Sequence, residues 1–289
     1  MKETKIGGVE FTDSIGANTD PYIIGVFGEE SVGKTRFALT GPEVVGCVPL
    51  EMKAYLTLDK DSQEFSKRIF KPKDPMSLIV GKRKVDAMKD DAERQKFYME
   101  HVAKVKETTY QLLEHKEVRL VMIDKFTTYC VHTEYAINGF TPRFVKIGNM
   151  VRQSKAEVRQ SIIDFVNSLS QFKKPVVLNC ATKADYDVVD AKGEPMRNTW
   201  DCGAFYMLGS HANLVVELVT NPHWDLKRAG HSAEAESKYG WKYGLNVRRC
   251  QRRPELEGPE GNPLLRDDQI TLPNLIQAVE PDVNIDMWV

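Results

Sequence analysis

The feature that most constrains the fold is the segment Gly28–Thr35, whose sequence is GEESVGKT. It matches the phosphate-binding pattern G-x-x-x-x-G-K-[ST] at every fixed position. The apolar run Tyr22–Phe27 before it is typical of a buried strand, and Arg36–Leu39 after it predicts the first turn of a helix. Strand, glycine loop and helix in this order are the context in which the pattern binds phosphate. The sequence therefore predicts a nucleotide-binding loop.

The residue types in this loop suit that chemistry. Gly28 and Gly33 allow the backbone to wrap closely around an anion, with several N–H groups pointing inward. The helix that begins near Gly33 adds the positive end of its dipole. The Lys34 ammonium can reach the β- and γ-phosphates of ATP, and the Thr35 hydroxyl can ligate Mg²⁺. The predicted nucleotide-binding residues are Gly28, Glu29, Glu30, Ser31, Val32, Gly33, Lys34, Thr35 and Arg36.

Composition narrows the class of protein. The 289 residues are 42% hydrophobic, which is enough for a packed core. Lys+Arg number 40 against 41 Asp+Glu, so a strongly basic nucleic-acid coat is excluded. The sequence contains no apolar run of the roughly 20 residues that a membrane span needs, and its first residues lack the apolar core of a signal peptide. The five scattered cysteines favour reduced thiols in a cytoplasmic protein.

Strand-like and helix-like segments alternate along the chain. The pattern predicts an α/β three-layer fold with a mainly parallel central sheet and antiparallel strands near the C-terminus. We divide the chain into a lead-in (1–19), one domain (20–275) and an acidic, apolar tail (276–289). Further strands are expected at 44–50, 77–80, 119–124, 175–180, 213–220 and 241–253. Helices are expected near 62–69 and over 86–115 and 150–172, with a short final helix or turn at 272–279 and long loops at 127–149 and 184–212.

The apolar run Arg119–Asp124 ends in an aspartate, which is the form of a Walker B strand. At the carboxyl edge of a parallel sheet, Asp124 would lie near the Mg²⁺ bound by Thr35. The next residue is Lys125, so no second acidic residue follows to supply a catalytic glutamate. This argues against the ATPase classes that carry one at this place.

These features, in this order and with the arginine-bearing strand at 246–253, resemble the RecA-like ATPase core. In particular, the chain is similar over about residues 20–275 to the short phage-encoded, Sak-four type single-strand annealing ATPases. The resemblance implies a recombination protein that binds single-stranded DNA, hydrolyses ATP with Mg²⁺ and promotes annealing beside a single-strand-binding protein. It also implies a homo-oligomer, a ring or a filament, in the cytoplasm of a host cell.

The resemblance implies roles for individual residues. Lys34 and Thr35 would bind phosphate and Mg²⁺, Asp124 would support the metal ion, and Glu51 would position the attacking water. For Glu51 the alternative is an ordinary surface glutamate. The family's γ-phosphate sensor histidine is absent, because Cys180, Ala181 and Thr182 stand there. Asn179, Thr182 or Lys183 could take its place.

The long loops, taken here as 127–149 and 183–206, correspond to the loops that face DNA in that family. They carry bases that can neutralise phosphates and aromatic rings on which nucleobases can stack. The candidate phosphate contacts are Arg143, Lys146, Lys183 and Arg197, and the candidate stacking residues are Phe140, Phe144 and Trp200. The alternative is that these are solvated charges and core aromatics.

Arg248 and Arg249 lie where RecA-like oligomers carry bases that reach a neighbour's γ-phosphate. Alternation along a strand would point the two side chains to opposite faces, so one of them is a candidate arginine finger in trans. The alternative is a basic surface strand paired with the nearby glutamates, which are Glu255, Glu257 and Glu260.

Other functions stay open. A helicase-like or packaging motor could use the same core, and a nucleotide-switched scaffold or regulator would bind ATP with little hydrolysis. A small-molecule phosphotransferase is disfavoured because no acceptor site or lid motif is present. The tail over 282–289 is either a docking peptide for another protein or a segment folded back over the core.

Overall fold

The computed structural model describes residues 3–6, 9–12, 22–88, 90–139, 144–147, 150–153, 156–181, 183–189, 195–198, 208, 211–221, 240–257 and 263–288. The strands are β1 (Glu3–Ile6), β2 (Val9–Thr12), β3 (Ile23–Gly28), β4 (Val44–Pro49), β5 (Arg68–Phe70), β6 (Leu120–Asp124), β7 (Phe144–Ile147), β8 (Met150–Gln153), β9 (Val176–Asn179), β10 (Lys183–Val189), β11 (Pro195–Asn198), β12 (Leu214–Thr220), β13 (Tyr243–Cys250) and β14 (Leu265–Arg266). The α-helices are α1 (Lys34–Leu39), α2 (Met52–Glu64), α3 (Lys82–Asp86), α4 (Asp91–Glu114), α5 (Phe126–Asn138), α6 (Ala156–Leu169) and α7 (Leu272–Val279).

A sheet of eight strands in the order β14-β13-β12-β3-β9-β6-β4-β5 forms the centre of the molecule. The strands from β12 to β5 pair in parallel, and β13 and β14 extend the sheet antiparallel at one edge. The α/β fold with a mainly parallel sheet and antiparallel C-terminal strands is therefore confirmed. The strand before the phosphate loop, β3, is separated from β6 by β9 alone.

Helices cover both faces of this sheet. Along β3, Ile23 and Phe27 pack in the apolar layer that includes side chains of α4, α5 and α6, whereas Ile24 and Val26 pack with those of α1, α2 and α7. Successive side chains of a strand point to opposite faces. All six residues of β3 are buried, as expected of a parallel strand covered on both sides. Among the helices of the described segments, none is long and apolar enough to cross a bilayer.

The amphipathic helix predicted over 86–115 is confirmed as α4. Its first turn is capped by Asp90, whose Oδ1 accepts a hydrogen bond of 2.7 Å from the N–H of Glu93. This cap satisfies one of the amide groups that have no partner within the helix. Val102, Val105 and Leu113 recur at helical spacing and lie in the core. The predicted helix over 272–279 is also confirmed, as α7.

The prediction of an irregular stretch over 127–149 is wrong. Its first part forms α5, which begins directly after β6 and ends before Gly139 at a φ of 66°. Aromatic and β-branched residues have modest helix propensity, so the local sequence gives a weak helix signal. Tertiary packing decides the outcome, because Phe126, Tyr129 and Ala136 lie in the core. The strands β7 and β8 pair antiparallel further along.

Two predictions before α4 are also wrong. The helix expected near 62–69 lies earlier, as α2, and β5 pairs with β4 in its place. In α2 only Leu58 and Asp61 are buried, so its apolar periodicity is weak, and Ser66 with a φ of 53° follows its end. The strand expected at 77–80 is a 3₁₀ turn at Pro75–Ser77, where Asp74 Oδ1 accepts a hydrogen bond of 2.9 Å from Met76 N–H.

Two boundaries in the second half of the chain also differ from prediction. The helix expected from residue 150 begins at Ala156, since Met150–Gln153 is β8. The loop expected over 184–212 contains the antiparallel pair β10–β11. The strands of the β7–β8 and β10–β11 pairs show little apolar alternation in their sequences. They were not predicted because strand formation depends strongly on tertiary context.

The tail folds back over the core. Trp288 is only 5% exposed and packs edge-on against Tyr22, with ring centroids 5.6 Å apart and an interplanar angle of 73°. The Arg252 guanidinium lies 4.2 Å from the Tyr22 ring centroid and also pairs with Glu280. These contacts favour the folded-back arrangement over a docking peptide.

Candidate nucleotide site

The phosphate loop joins the carboxyl end of β3 to α1, and both of its fixed glycines have positive φ. Gly28 has a φ of 151°, and a Cβ atom there would lie 2.6 Å from the Leu218 carbonyl oxygen. Gly33 has a φ of 101° and is the N-cap of α1, with open space where a Cβ would be. At Gly28 a side chain would clash with the neighbouring backbone, and at Gly33 the positive φ favours glycine.

The Lys34 side chain lies against the loop that precedes it. Its Nζ donates to the carbonyl oxygens of Gly28 at 2.8 Å and Glu29 at 2.6 Å. Burial lowers the pKa of Lys34, while the nearby Asp124 carboxylate opposes that shift. The ammonium is thus held on the same side of the loop as Asp124, where a phosphate group bound by the loop would meet it.

Thr35 and Asp124 form the other half of the site. Thr35 Oγ1 donates a hydrogen bond of 2.5 Å to Asp124 Oδ2. Asp124 is 7% exposed, and this burial raises its pKa against the lowering effect of hydrogen bonds from Thr35 and Asn179. A hydroxyl and a carboxylate oxygen side by side are hard donors of the kind that Mg²⁺ prefers, so this pair fits a magnesium ion.

Glu51 faces the same site from the start of α2. Its Oε1 lies 3.1 Å from Lys125 Nζ and accepts a hydrogen bond of 3.2 Å from Thr128 Oγ1. Lys125 also lies 3.3 Å from Glu30 Oε1 in the phosphate loop. Burial lowers the pKa of Lys125, but its contacts with Glu51 and Glu30 outweigh burial, so the pKa is raised.

A cavity of about 300 Å³ connects these groups. Its wall includes Lys34, Thr35, Glu51, Asp124 and Lys125. Ligand pockets start at about this size. The structure therefore brings together the predicted phosphate, metal and water-positioning residues.

Arg248 is held within its own chain. Its Nε donates a hydrogen bond of 2.6 Å to Glu217 Oε2 on the neighbouring strand β12. Both side chains are only 8% exposed. The pairing does not favour a reach to another subunit, and the partner is Glu217 rather than the glutamates expected at 255–260. Arg249, the next residue of β13, is half-buried and stays the candidate for a trans role.

The DNA-facing candidates lie partly in described strands and partly outside the described residues. Arg143, Trp200 and Phe140 lie outside the described residues. Phe144 and Lys146 are residues of β7. In the β10–β11 pair, Lys183 pairs with Asn198 and Ala184 pairs with Arg197.

Sequence reasoning missed two residues of the site. The sequence predicts Lys125 only as a non-acidic residue after Asp124, and it predicts no role for Thr128. Both residues could have been found from their positions in the sequence. Lys125 follows Asp124 directly, and Thr128 lies in the first turn of α5, at the same edge of the sheet. The contact of both with Glu51 depends on the order of the strands.

Comparisons with known protein families and with curated protein sequences found no match. Solved structures do resemble this chain. An ATPase of the type III secretion system of pathogenic bacteria is 14% identical with a TM-score of 0.38, over 74% of this chain and 55% of that one. The assembled ATPase EscN from the same system of enteropathogenic E. coli is 14% identical with a TM-score of 0.40, over 74% and 45%.

A KaiC-like protein from the archaeon Pyrococcus horikoshii is 11% identical with a TM-score of 0.38, over 80% of this chain and 81% of that one. This chain spans about half the length of the two secretion ATPases. The likenesses concern the fold alone.

Proposed function

We propose that this protein is a Mg²⁺-dependent nucleoside triphosphatase, with ATP as its nucleotide. The observation that carries this proposal is the contact of Thr35 Oγ1 with Asp124 Oδ2 at the end of a glycine loop of the phosphate-binding pattern. A magnesium ion held by these two oxygens would neutralise charge on the β- and γ-phosphates. The backbone over Gly28–Arg36 would bind the phosphates through its N–H groups.

Glu51 is the residue that we assign to the attacking water. It lines the same cavity as the Thr35–Asp124 pair, and Thr128 donates a hydrogen bond to one of its carboxylate oxygens. A carboxylate held in this way can accept a hydrogen bond from water and orient it in line with the β–γ bond. Lys34 would stabilise the negative charge that moves to the leaving diphosphate.

We further propose that single-stranded DNA is the polymer on which the protein acts, in strand annealing during recombination. The support is the sequence resemblance and the placement of two hairpins in the chain. The β10–β11 hairpin follows β9 closely, and β7–β8 follows α5, which starts at the Asp124 edge. Their bases and aromatics suit a single-strand groove. A homo-oligomer with Arg249 reaching a neighbouring site, and a single-strand-binding protein as partner, complete this proposal.

Measuring ATP hydrolysis with and without single-stranded DNA tests both the nucleotide proposal and the DNA proposal. We expect hydrolysis to rise with single-stranded DNA more than with duplex DNA or RNA, and to disappear in Lys34→Ala. Hydrolysis that is indifferent to all three polymers would overturn the DNA proposal and leave the nucleotide proposal standing. The absence of both ATP binding and ATP hydrolysis in the wild-type protein would overturn the nucleotide proposal.

A nucleotide-switched scaffold is the second candidate. The observation that favours it is the contact between Glu51 and Lys125, because an ion-paired carboxylate is a weaker base. Such a protein would bind ATP tightly and hydrolyse it very slowly. A single-turnover measurement separates the candidates, since a scaffold retains bound ATP after many minutes whereas an annealing ATPase converts it to ADP.

A further inference from the structure

Lys125 joins two parts of the nucleotide site. Its Nζ lies 3.1 Å from Glu51 Oε1 at the start of α2 and 3.3 Å from Glu30 Oε1 in the phosphate loop. The Lys125 side chain is 23% exposed, and it lines the same cavity as Lys34. Besides Lys34, the cavity therefore presents an ammonium group whose partners are two carboxylates.

The two ion pairs are weakly held. Glu30 is 73% exposed and Glu51 is 40% exposed, and pairs of such exposure contribute little because water solvates the separated ions almost as well. A terminal phosphate carries more charge than a carboxylate and offers three acceptor oxygens. In competition for Lys125 inside a partly closed cavity, the phosphate is the stronger partner.

We infer that Lys125 binds the terminal phosphate of a nucleoside triphosphate, exchanging Glu51 and Glu30 for it, and thereby releases Glu51. This inference rests on the proposed function. A diphosphate has no phosphate group at that place, so it leaves the Lys125–Glu51 pair intact. Lys125 thus distinguishes triphosphate from diphosphate.

Thr128 explains how Glu51 keeps its orientation after the exchange. Its Oγ1 donates to Glu51 Oε1 at 3.2 Å, independently of Lys125. The released carboxylate loses a cation but keeps a hydrogen bond that holds it in the cavity. A carboxylate without its cationic partner is a better acceptor for the proton of a water molecule.

The test is the affinity of the full-length protein for two probes in the presence of Mg²⁺, ADP and the non-hydrolysable triphosphate adenosine 5′-(β,γ-imido)triphosphate. In Lys125→Met we expect about tenfold weaker binding of the triphosphate, because roughly one charge-assisted hydrogen bond is lost. The affinity for ADP should change by less than about twofold. Lys125→Arg retains the cation, so it should keep most of the triphosphate preference.

Lys71→Met is the matched control. Lys71 Nζ lies 2.8 Å from Asp59 Oδ1 with its side chain 15% exposed, and Lys71 does not line the cavity. This variant loses one charge, the ion pair with Asp59 and the contact with the Tyr55 ring, and neither Asp59 nor Tyr55 lines the cavity. The affinities for both probes should therefore equal those of the wild type. Thermal unfolding of each variant shows whether the fold is intact.

Glu51→Gln gives a second measurement that does not depend on the Lys125→Met variant folding. Removing the competing carboxylate charge should strengthen triphosphate binding about threefold or more in the wild-type background and have no effect in Lys125→Met. An unchanged triphosphate-to-diphosphate ratio in Lys125→Met, or an unchanged triphosphate affinity in Glu51→Gln, would overturn the inference alone. Failure of the wild type to bind either probe would overturn the proposed function as well.

Discussion

Thr35 Oγ1 and Asp124 Oδ2 are in hydrogen-bond contact although 89 residues separate them in the chain. The strand before the phosphate loop, β3, and the strand that ends in Asp124, β6, are not neighbours, because β9 lies between them. The contact forms because Thr35 lies in the first turn of α1, just after the carboxyl end of β3, and Asp124 is the last residue of the parallel strand β6, so both lie at the same edge of the sheet. It places a buried carboxylate, whose pKa burial raises, beside the phosphate loop.

Asp124→Asn should abolish Mg²⁺-dependent hydrolysis without unfolding the protein. The amide retains an oxygen for the Thr35 hydroxyl but lacks the charge that holds a metal ion, so we expect hydrolysis to fall by at least about 100-fold. Because a buried charge is removed, thermal stability should stay equal or rise. Steady-state hydrolysis across a magnesium titration and thermal unfolding measure the two effects.

Asp267→Asn is the control for that variant. Asp267 Oδ1 accepts hydrogen bonds from the backbone N–H groups of Lys242 and Tyr243, far along the chain from the site. Its replacement should leave hydrolysis within about twofold of the wild type. Hydrolysis that survives in Asp124→Asn would show that this carboxylate does not support the metal ion.

The stability of the protein should fall on mild acidification because of His101 and His132. Their rings lie 4.8 Å apart between α4 and α5, and the side chains are 6% and 8% exposed. Burial lowers the pKa of His101 to about 4, and the nearby charges of Lys104 and Lys84 add to this effect. Burial also lowers the pKa of His132 to about 3, with a further contribution from His101.

Both histidines are therefore neutral in the folded state, while the unfolded chain takes up protons below about pH 6.5. The stabilisation is complete above that pH and decreases as the pH falls towards the folded-state values. As the pH falls from about 7 to about 5.5, each histidine should lower the free energy of unfolding by about 1 kcal/mol. Urea unfolding at several pH values measures this slope.

The double variant His101→Gln, His132→Gln should flatten that pH dependence, whatever it does to stability at neutral pH. His115→Gln is the control, because His115 is exposed and its removal should leave the slope unchanged. A wild-type slope that persists in the double variant would assign the acid sensitivity to other groups.

Glu217→Ala should destabilise the fold strongly. Glu217 and Arg248 are each 8% exposed, and breaking a buried ion pair by removing one partner costs about 3–5 kcal/mol. Glu117 pairs with Arg68 at 51% and 61% exposure, so Glu117→Ala should cost less than about 1 kcal/mol. Chemical unfolding of the two variants compares them. Equal costs would show that Arg248 finds another partner.

Several parts of the fold could be predicted from local sequence. Three kinds of element have a periodic or fixed pattern within a single segment. They are the phosphate loop, the buried strands before and after it in the chain, and the long helix α4. The helix α5 could not be predicted, because its residues favour the helix only when Phe126 and Tyr129 pack in the core. The 3₁₀ turn at Pro75–Ser77 was missed because its apolar neighbours, Leu78 and Ile79, are buried without joining the sheet.

The sequence alone determined that the chain carries a phosphate loop at Gly28–Thr35 and an aspartate at the end of a buried strand. Only the tertiary structure decided which side chains meet there: Thr35 with Asp124, and Glu51 with Lys125 and Thr128. The physical reason is that a glycine loop is specified by local backbone conformation. The composition of a site at the edge of a sheet depends instead on strand order, which is set by packing between distant segments.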